Sequence, residues 1–258
     1  MPKCKLKAVD SMVRQVSSKR ELCLKDRGYG AIPETLRFQC PPFERLLALD
    51  LQNNNIQEVD GEFCQKFPCL ERLDLRANKI KTISPHVKAL MSLQVLKLDG
   101  NQLTQLVPQI GSLKLLEELS VSNNRLLEIP TCFGENLTSL VSLNLSENQI
   151  KTLPSSIGVL GKYSLKYLYL HGNNFTSFPS TFLHMCNLEE LSLEWFLYAK
   201  PSKQKLVRRG TEEGRNVFES LEQLFKLLVR HSMNECMLII FLEYYSEQDF
   251  EVNHKDNR

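Results

Sequence analysis

Apolar residues recur along this chain in a frame of fixed length. Its clearest copy is Leu143-Asn144-Leu145-Ser146-Glu147-Asn148-Gln149-Ile150: two leucines two apart, an asparagine three residues on, an aliphatic residue two beyond. The frame opens at Leu140 and closes at Leu153-Pro154. Leu46, Leu49, Leu51, Asn54, Ile56 and Val59 form another copy, and Leu70, Leu73, Leu75, Asn78, Ile80 and Ile83 the next. Leu93, Leu96, Leu98, Asn101, Leu103 and Leu106 follow, then Leu116, Leu119, Val121, Asn124, Leu126 and Ile129. Leu165, Leu168, Leu170, Asn173, Phe175 and Phe178 close the series. Successive asparagines are 24, 23, 23, 24 and 25 residues apart. A fixed period of this size predicts a solenoid of stacked units. The Leu-x-Leu core predicts a short strand with its leucines inward and the residues between them outward. The asparagine falls where the chain must turn, and its amide can bond backbone groups that a turn leaves unpaired. Ile83 with Val87 and Leu90, Leu106 with Ile110 and Leu113, and Leu153 with Ile157 and Leu160 predict a second apolar layer on the convex side. One unit cannot bury its own apolar face, so stability must come from neighbours.

On these residues the chain resembles the intracellular, typical-length leucine-rich repeat proteins, the class that includes Scribble-like and Ras-group scaffolds. The resemblance implies an α/β fold: a right-handed solenoid with a curved parallel sheet on its concave side, here followed by a helical C-terminal extension. It also implies a non-enzymatic scaffold or adaptor that binds a protein on the concave face.

The ends depart from the frame. Residues 1–21 are basic, about +5 over 1–20, with Val9, Met12, Val13 and Val16 on one helical face. They read as a helix capping the first strand, or alternatively as a basic amphipathic segment for an anionic membrane or nucleic acid. Residues 22–199 hold the repeats. Leu22, Leu24, Tyr29 and Ile32 make a degenerate first unit with Arg27 where asparagine belongs. A last frame starts at Leu188, Leu191 and Leu193 and breaks at Phe196 and Tyr198. Residues 200–216 form a basic linker, and Phe218, Leu221, Phe225 and Leu228 then open a helical extension over 217–258. The final stretch, Val252-Asn253-His254-Lys255-Asp256-Asn257, resembles the lead-in to an ankyrin repeat.

Composition narrows the classes. The chain has 258 residues and a net charge of +2. No apolar run approaches the 18 or more residues of a membrane span, and the N-terminus lacks the apolar core of a signal peptide. Eight cysteines are scattered without a Cys-x-x-Cys pair, which suits reduced thiols in a cytoplasmic or nuclear protein. The two basic segments carry about +5 and +4, so the rest is near −7. That split disfavours nucleic acid in the concave groove. Membrane contact through the basic ends is the weaker alternative.

No catalytic constellation is present: no Walker A loop, no Gly-x-Gly-x-x-Gly and no Gly-x-Ser-x-Gly. The five histidines lie in different units without metal-ligand spacing. Neither a metal, a cofactor nor a small-molecule substrate is expected, and the chain reads as no enzyme. Candidate chemistry lies instead on the outward strand positions. Arg72, Asp74, Arg76, Lys97 and Asp99 form a charged cluster whose alternating signs could pair internally or meet a partner. Tyr167, Tyr169 and His171, with Trp195 one strand on, form an aromatic cluster of a kind enriched at interaction hot spots. Glu190 and Glu194 beside them favour a basic segment. The aromatics could equally cap the end of the stack. The expected partner is a protein, with a regulatory subunit of a phosphatase or ubiquitin ligase as the alternative role.

Overall fold

The computed structural model describes residues 16, 18–37, 45–175, 185 and 187–192. Glu194, Trp195, most of the N-terminal basic segment, the linker, the helical extension and the ankyrin-like ending lie outside them. The strands are β1 (Glu21–Cys23), β2 (Ala48–Asp50), β3 (Glu58–Val59), β4 (Arg72–Asp74), β5 (Thr82–Ile83), β6 (Val95–Lys97), β7 (Glu118–Ser120), β8 (Ser142–Asn144), β9 (Tyr167–Tyr169) and β10 (Glu190–Ser192). Eight of them form one parallel sheet in the order β1-β2-β4-β6-β7-β8-β9-β10. On the return side β3 pairs with β5. The degenerate first unit therefore does build a strand.

Register in the main sheet has no offset. Leu22, Leu49, Leu73, Leu96, Leu119, Leu143, Leu168 and Leu191 stand opposite one another. None of these leucines is more than 3% exposed. Each unit strings its apolar residues on the same phase, so stacking lines them into a continuous core. The convex segments are short: α1 (Gly61–Lys66), 3-10 turns at Pro85–Ala89 and Pro108–Ser112, and α2 (Ser156–Tyr163). Proline opens both 3-10 turns, where its fixed φ suits the first turn and no donor is missed. Asp60 caps α1 by accepting from the Phe63 N–H at 2.9 Å. Phe63 and Phe67 are buried with ring centroids 4.9 Å apart. The predicted convex layer is in place, with Val87, Leu90, Ile110, Leu113, Ile157 and Leu160 all buried.

The asparagines bind the stack. In each case the amide nitrogen donates to carbonyls of its own unit and of the unit before. Asn148 donates to Leu145 and Ser146 in its own turn and to Val121 in the previous one, at 2.9–3.1 Å. Its Oδ1 accepts from the Leu126 N–H of that previous unit at 3.0 Å. Asn78, Asn101, Asn124 and Asn173 repeat the scheme one unit along. All are 3–8% exposed, so these bonds satisfy backbone groups that water cannot reach. Arg27 supplies no amide at the first ladder position. Asn54 still makes the ladder's bond to that unit, accepting from the Tyr29 N–H at 2.9 Å, and accepts from the Arg27 N–H at 3.2 Å as well.

The residue before each ladder asparagine turns left-handed. Asn53, Ala77, Gly100, Asn123, Glu147 and Gly172 all have φ between 51° and 67°, and Asp26 matches them in the first unit. Asparagine, aspartate and glycine tolerate this region, whereas Ala77 and Glu147 hold it against their own preference. Close approach rather than backbone angle fixes Gly134. A Cβ there would stand 2.0 Å from the Ser156 carbonyl oxygen of the next unit.

Leu145→Ala should lower unfolding free energy by roughly 2–5 kcal/mol in urea titration, since Leu145 is fully buried. A loss below about 1 kcal/mol would contradict the inward register. Ala77→Gly should raise stability by about 0.5–1 kcal/mol, the left-handed cost removed less the entropy that glycine adds. An unchanged or lowered melting temperature would contradict this. The Cys64 thiol is buried and pushed up to about 12, chiefly by burial and then by Asp60. Thiol reagents should modify exposed Cys23 and Cys69 in the native protein and reach Cys64 after unfolding. Mass spectrometry of labelled peptides reads this directly.

Candidate functional site

The in-register sheet turns the outward strand positions into rows. One row runs Glu21, Ala48, Arg72, Val95, Glu118, Ser142, Tyr167, Glu190. The next runs Cys23, Asp50, Asp74, Lys97, Ser120, Asn144, Tyr169, Ser192. Gln52, Arg76, Asp99, Ser122, Ser146 and His171 occupy the position two residues on in six of the units.

The charged cluster is largely paired, and mostly with residues outside itself. Arg72 reaches over Ala48 to Glu21, two strands away, at 2.6 Å. The small alanine leaves the space for that crossing. Arg76 clasps Asp74, with Nε at 2.9–3.0 Å from both carboxylate oxygens and an Nη at 2.6 Å from Oδ2. The Asp74 contact, with Asp99 and Asp50 nearby, holds the Arg76 guanidinium still more firmly charged than usual. Lys97 pairs with Glu118 at 3.1 Å. Internal pairing within the cluster is thus confined to Asp74 and Arg76.

Asp99 is different. Its Oδ1 accepts from the Ser120 hydroxyl, from the Ser122 N–H at 2.9 Å and from the Ser122 hydroxyl at 2.6 Å. No lysine or arginine among the described residues forms an ion pair with it. Ser120 and Ser146, expected to face outward, are instead 9% and 3% exposed. Their hydroxyls donate to the neighbouring Asp99 carboxylate and to the Asn144 Oδ1. With Ser142, this leaves a low hydroxyl-lined floor across β7 and β8. The wall beyond it is aromatic. Tyr167 donates to Glu189 at 3.1 Å, and Lys166 pairs with the same carboxylate at 2.7 Å. Glu190 lies near enough to Tyr169 for its charge to act on the phenol. The His171 Nδ1 lies 2.9 Å from the Ser192 hydroxyl. The fold therefore brings Tyr167, Tyr169, His171 and Glu190 together. It places Arg72, Asp74 and Arg76 farther along the sheet toward β1, with the floor between them and the tyrosines.

The electrostatics of the aromatic end follow from these contacts. Hydrogen bonding to Glu189 raises the Tyr167 phenol above its ordinary value, and the charge of that carboxylate adds to the effect. Burial, then Glu190, raises Tyr169. Glu189 is held below the usual carboxylate range by Lys166 and Tyr167. Among the described residues no three metal-ligating side chains converge, and no helix is long and apolar enough to cross a membrane.

A leucine-rich repeat family model matches residues 44–103 and 114–162, and a second leucine-rich repeat model matches 164–186. The chain belongs to the leucine-rich repeat proteins. Proteins of this family commonly mediate protein–protein interaction, and their repeat domains are typically non-enzymatic binding modules. Over 149 residues the chain is 32% identical to a protein named probable serine/threonine-protein kinase pats1, from Dictyostelium discoideum. That match spans 57% of this chain and 4% of the relative, so the likeness does not show catalysis. A Leptospira interrogans leucine-rich repeat protein superposes with a TM-score of 0.50 at 26% identity, covering 70% of this chain and 56% of that one. The plant peptide hormone receptor RGFR1, solved in complex with RGF2, superposes with a TM-score of 0.55 at 26% identity. That superposition covers 63% of this chain and 26% of the receptor.

Both tyrosines of the repeat domain's aromatic end should ionise later than free tyrosine in an alkaline absorbance titration. The folded state holds the phenolic protons more tightly than the unfolded chain. Stability is therefore unaffected below the ordinary tyrosine range, near pH 10, and falls as pH rises from there through the raised values. Glu189→Ala should bring Tyr167 back toward the ordinary value and leave Tyr169 raised. Coincident shifts of both tyrosines would contradict the separate partners.

Proposed function

We propose that this chain is a non-enzymatic adaptor that binds an extended segment of a partner protein across the concave face. The observation that carries the reading is the relief of that face. A floor of small hydroxyl side chains lies between the ion-paired Lys97 and Glu118 on one side and the partly exposed tyrosines 167 and 169 on the other. Small polar side chains admit a backbone, and flanking tyrosines supply contact area at low entropic cost. The presence of the same repeat architecture in a receptor solved with a peptide hormone supports this use of the fold. Scattered cysteines without a Cys-x-x-Cys pair support a cytoplasmic setting as part of this proposal.

A random peptide library displayed on phage tests the reading. Wild type should enrich binders that are lost on the Tyr167→Ala/Tyr169→Ala double variant and retained on Glu128→Ala, a change at an exposed position outside the strands. The double variant must keep wild-type circular dichroism. Binders retained by the double variant, or lost equally on Glu128→Ala, would overturn the concave site.

A further inference from the structure

Within the proposed concave site, we infer that the bound segment is basic, with two cationic side chains about four residues apart, one on Asp99 and one over Tyr167 and Tyr169. This rests on the concave-face reading and adds the chemistry of the partner.

The inference starts from what the face has already used. Its cations from β4 to β9 are engaged: Arg72 with Glu21, Arg76 with Asp74, Lys97 with Glu118 and Lys166 with Glu189. Carboxylates are left over. Asp50, Asp99 and Glu190 form no ion pair among the described residues. A partner must therefore bring positive charge, and an acidic one meets repulsion with no free cation in this stretch to answer it.

Asp99 is the best-built of the three. Three donors converge on Oδ1 and fix the plane of the carboxylate, and Oδ2 takes no hydrogen bond from the described residues. The group is partly buried at the edge of the hydroxyl floor. A carboxylate oriented in advance accepts an ammonium or guanidinium without having to order itself first. At the far edge of the floor Tyr167 hydrogen-bonds Glu189 through its hydroxyl, and Tyr169 is partly buried. That bond orients the Tyr167 ring, and Glu190 stands opposite Tyr167 in register. A ring face with a carboxylate behind it suits arginine, by cation–π attraction and charge together.

The spacing comes from the sheet. β6 and β9 are three strand steps apart, about 14 Å at the usual interstrand distance, and Asp99 stands two residues beyond the row of Tyr169, so the two anchors are roughly 16 Å apart. An extended chain running obliquely across the strands covers most of that in about four residues at 3.2–3.4 Å each, and the reach of the cationic side chains supplies the rest. Residues between the anchors lie over Ser122, Asn144 and Ser146. Small or polar side chains fit there, and a large apolar one would cover hydroxyls without bonding them.

Fluorescence anisotropy with labelled synthetic peptides tests this. The probe is Gly-Arg-Ser-Ala-Ser-Arg-Gly. The controls are the same peptide with both arginines replaced by glutamate, and an isomer with the arginines adjacent. Wild type should bind the spaced peptide at least about tenfold more tightly than the adjacent isomer, as expected for one charge-assisted anchor lost, and should not bind the glutamate peptide. Asp99→Asn keeps an acceptor for the two serines and removes the charge, and Glu190→Gln does the same at the aromatic end. Each should weaken the spaced peptide about tenfold and reduce the salt dependence, with melting temperature and circular dichroism confirming the fold. Equal binding of spaced and adjacent peptides, or unchanged affinity in both variants, would overturn the proposal. If the spaced peptide fails to bind while the phage library yields neutral or acidic peptides that need Tyr167 and Tyr169, the basic-segment inference falls and the concave-site reading stands. If the library too yields no tyrosine-dependent binder, both fall.

Discussion

One interaction recurs through the stack: a buried asparagine amide bridging two turns of chain. A tight turn inside a solenoid leaves carbonyls and N–H groups facing inward, where water cannot satisfy them. Each amide donates to two or three of those carbonyls and accepts from an N–H one unit back, as Asn124 does with Leu98, Val121, Ser122 and Leu103. The bonds cross the unit boundary, so they fix the register as well as the turn. From that register follow the unbroken leucine row, the parallel sheet and the rows of outward side chains. The ladder also dictates a left-handed residue just before each asparagine, which is why a loop position otherwise free to vary carries Asn, Gly, Ala or Glu in one backbone conformation.

A strict register makes the concave face a lattice, and side-chain length then sets its relief. Ala48 matters because it is short: Arg72 can cross it to Glu21. Ser120, Ser122 and Ser146 matter for the same reason, since their short side chains are tied to Asp99 and Asn144 on the same face and leave the floor low. Charge is distributed with the same economy. Surface ion pairs of this kind contribute little stability, about 0–1 kcal/mol each. Their larger consequence is to use up the local cations and leave particular carboxylates without one. The chain outside its two basic segments is acidic by count although the whole carries +2, and pairing geometry decides which of its carboxylates stay without a cation.

The periodic part of this structure was legible in the sequence because one residue type does one job per unit. Leucines two apart and an asparagine three on have a single stable arrangement when repeated in phase, and the strands fall where they predict. The outward residues were also legible as a set, by alternation. Their partners were not. Arg72 and Glu21 are 51 residues apart and meet across an intervening strand, which no local pattern reveals. The burial of Ser120 and Ser146 goes with hydrogen bonds to the neighbouring Asp99 and Asn144, which alternation alone does not reveal. A signal for the left-handed position was present in Gly100, Gly172, Asn53 and Asn123, but Ala77 and Glu147 mask it, because tertiary bonding there overrides local preference. Trp195 and Glu194 lie beyond the described residues, so the aromatic end is defined by Tyr167, Tyr169 and His171.

Rigidity has a consequence for the proposed binding. The floor is held by hydrogen bonds within the sheet and the Tyr167 ring by Glu189, so little ordering is left for the protein to undergo. The entropic cost of association then falls on the partner segment, which must become extended. Two charged anchors and a polar floor give modest affinity under that cost, with discrimination coming from charge sign and anchor spacing more than from buried area. Such an interface is sensitive to ionic strength, because its anchors sit at the partly exposed edges of the floor and not in a dry pocket. A longer partner could also engage Asp50 toward β1 without disturbing the two anchors. The number of contacts a partner makes would then grow with its length, while the choice of partner stays with Asp99 and the tyrosine pair.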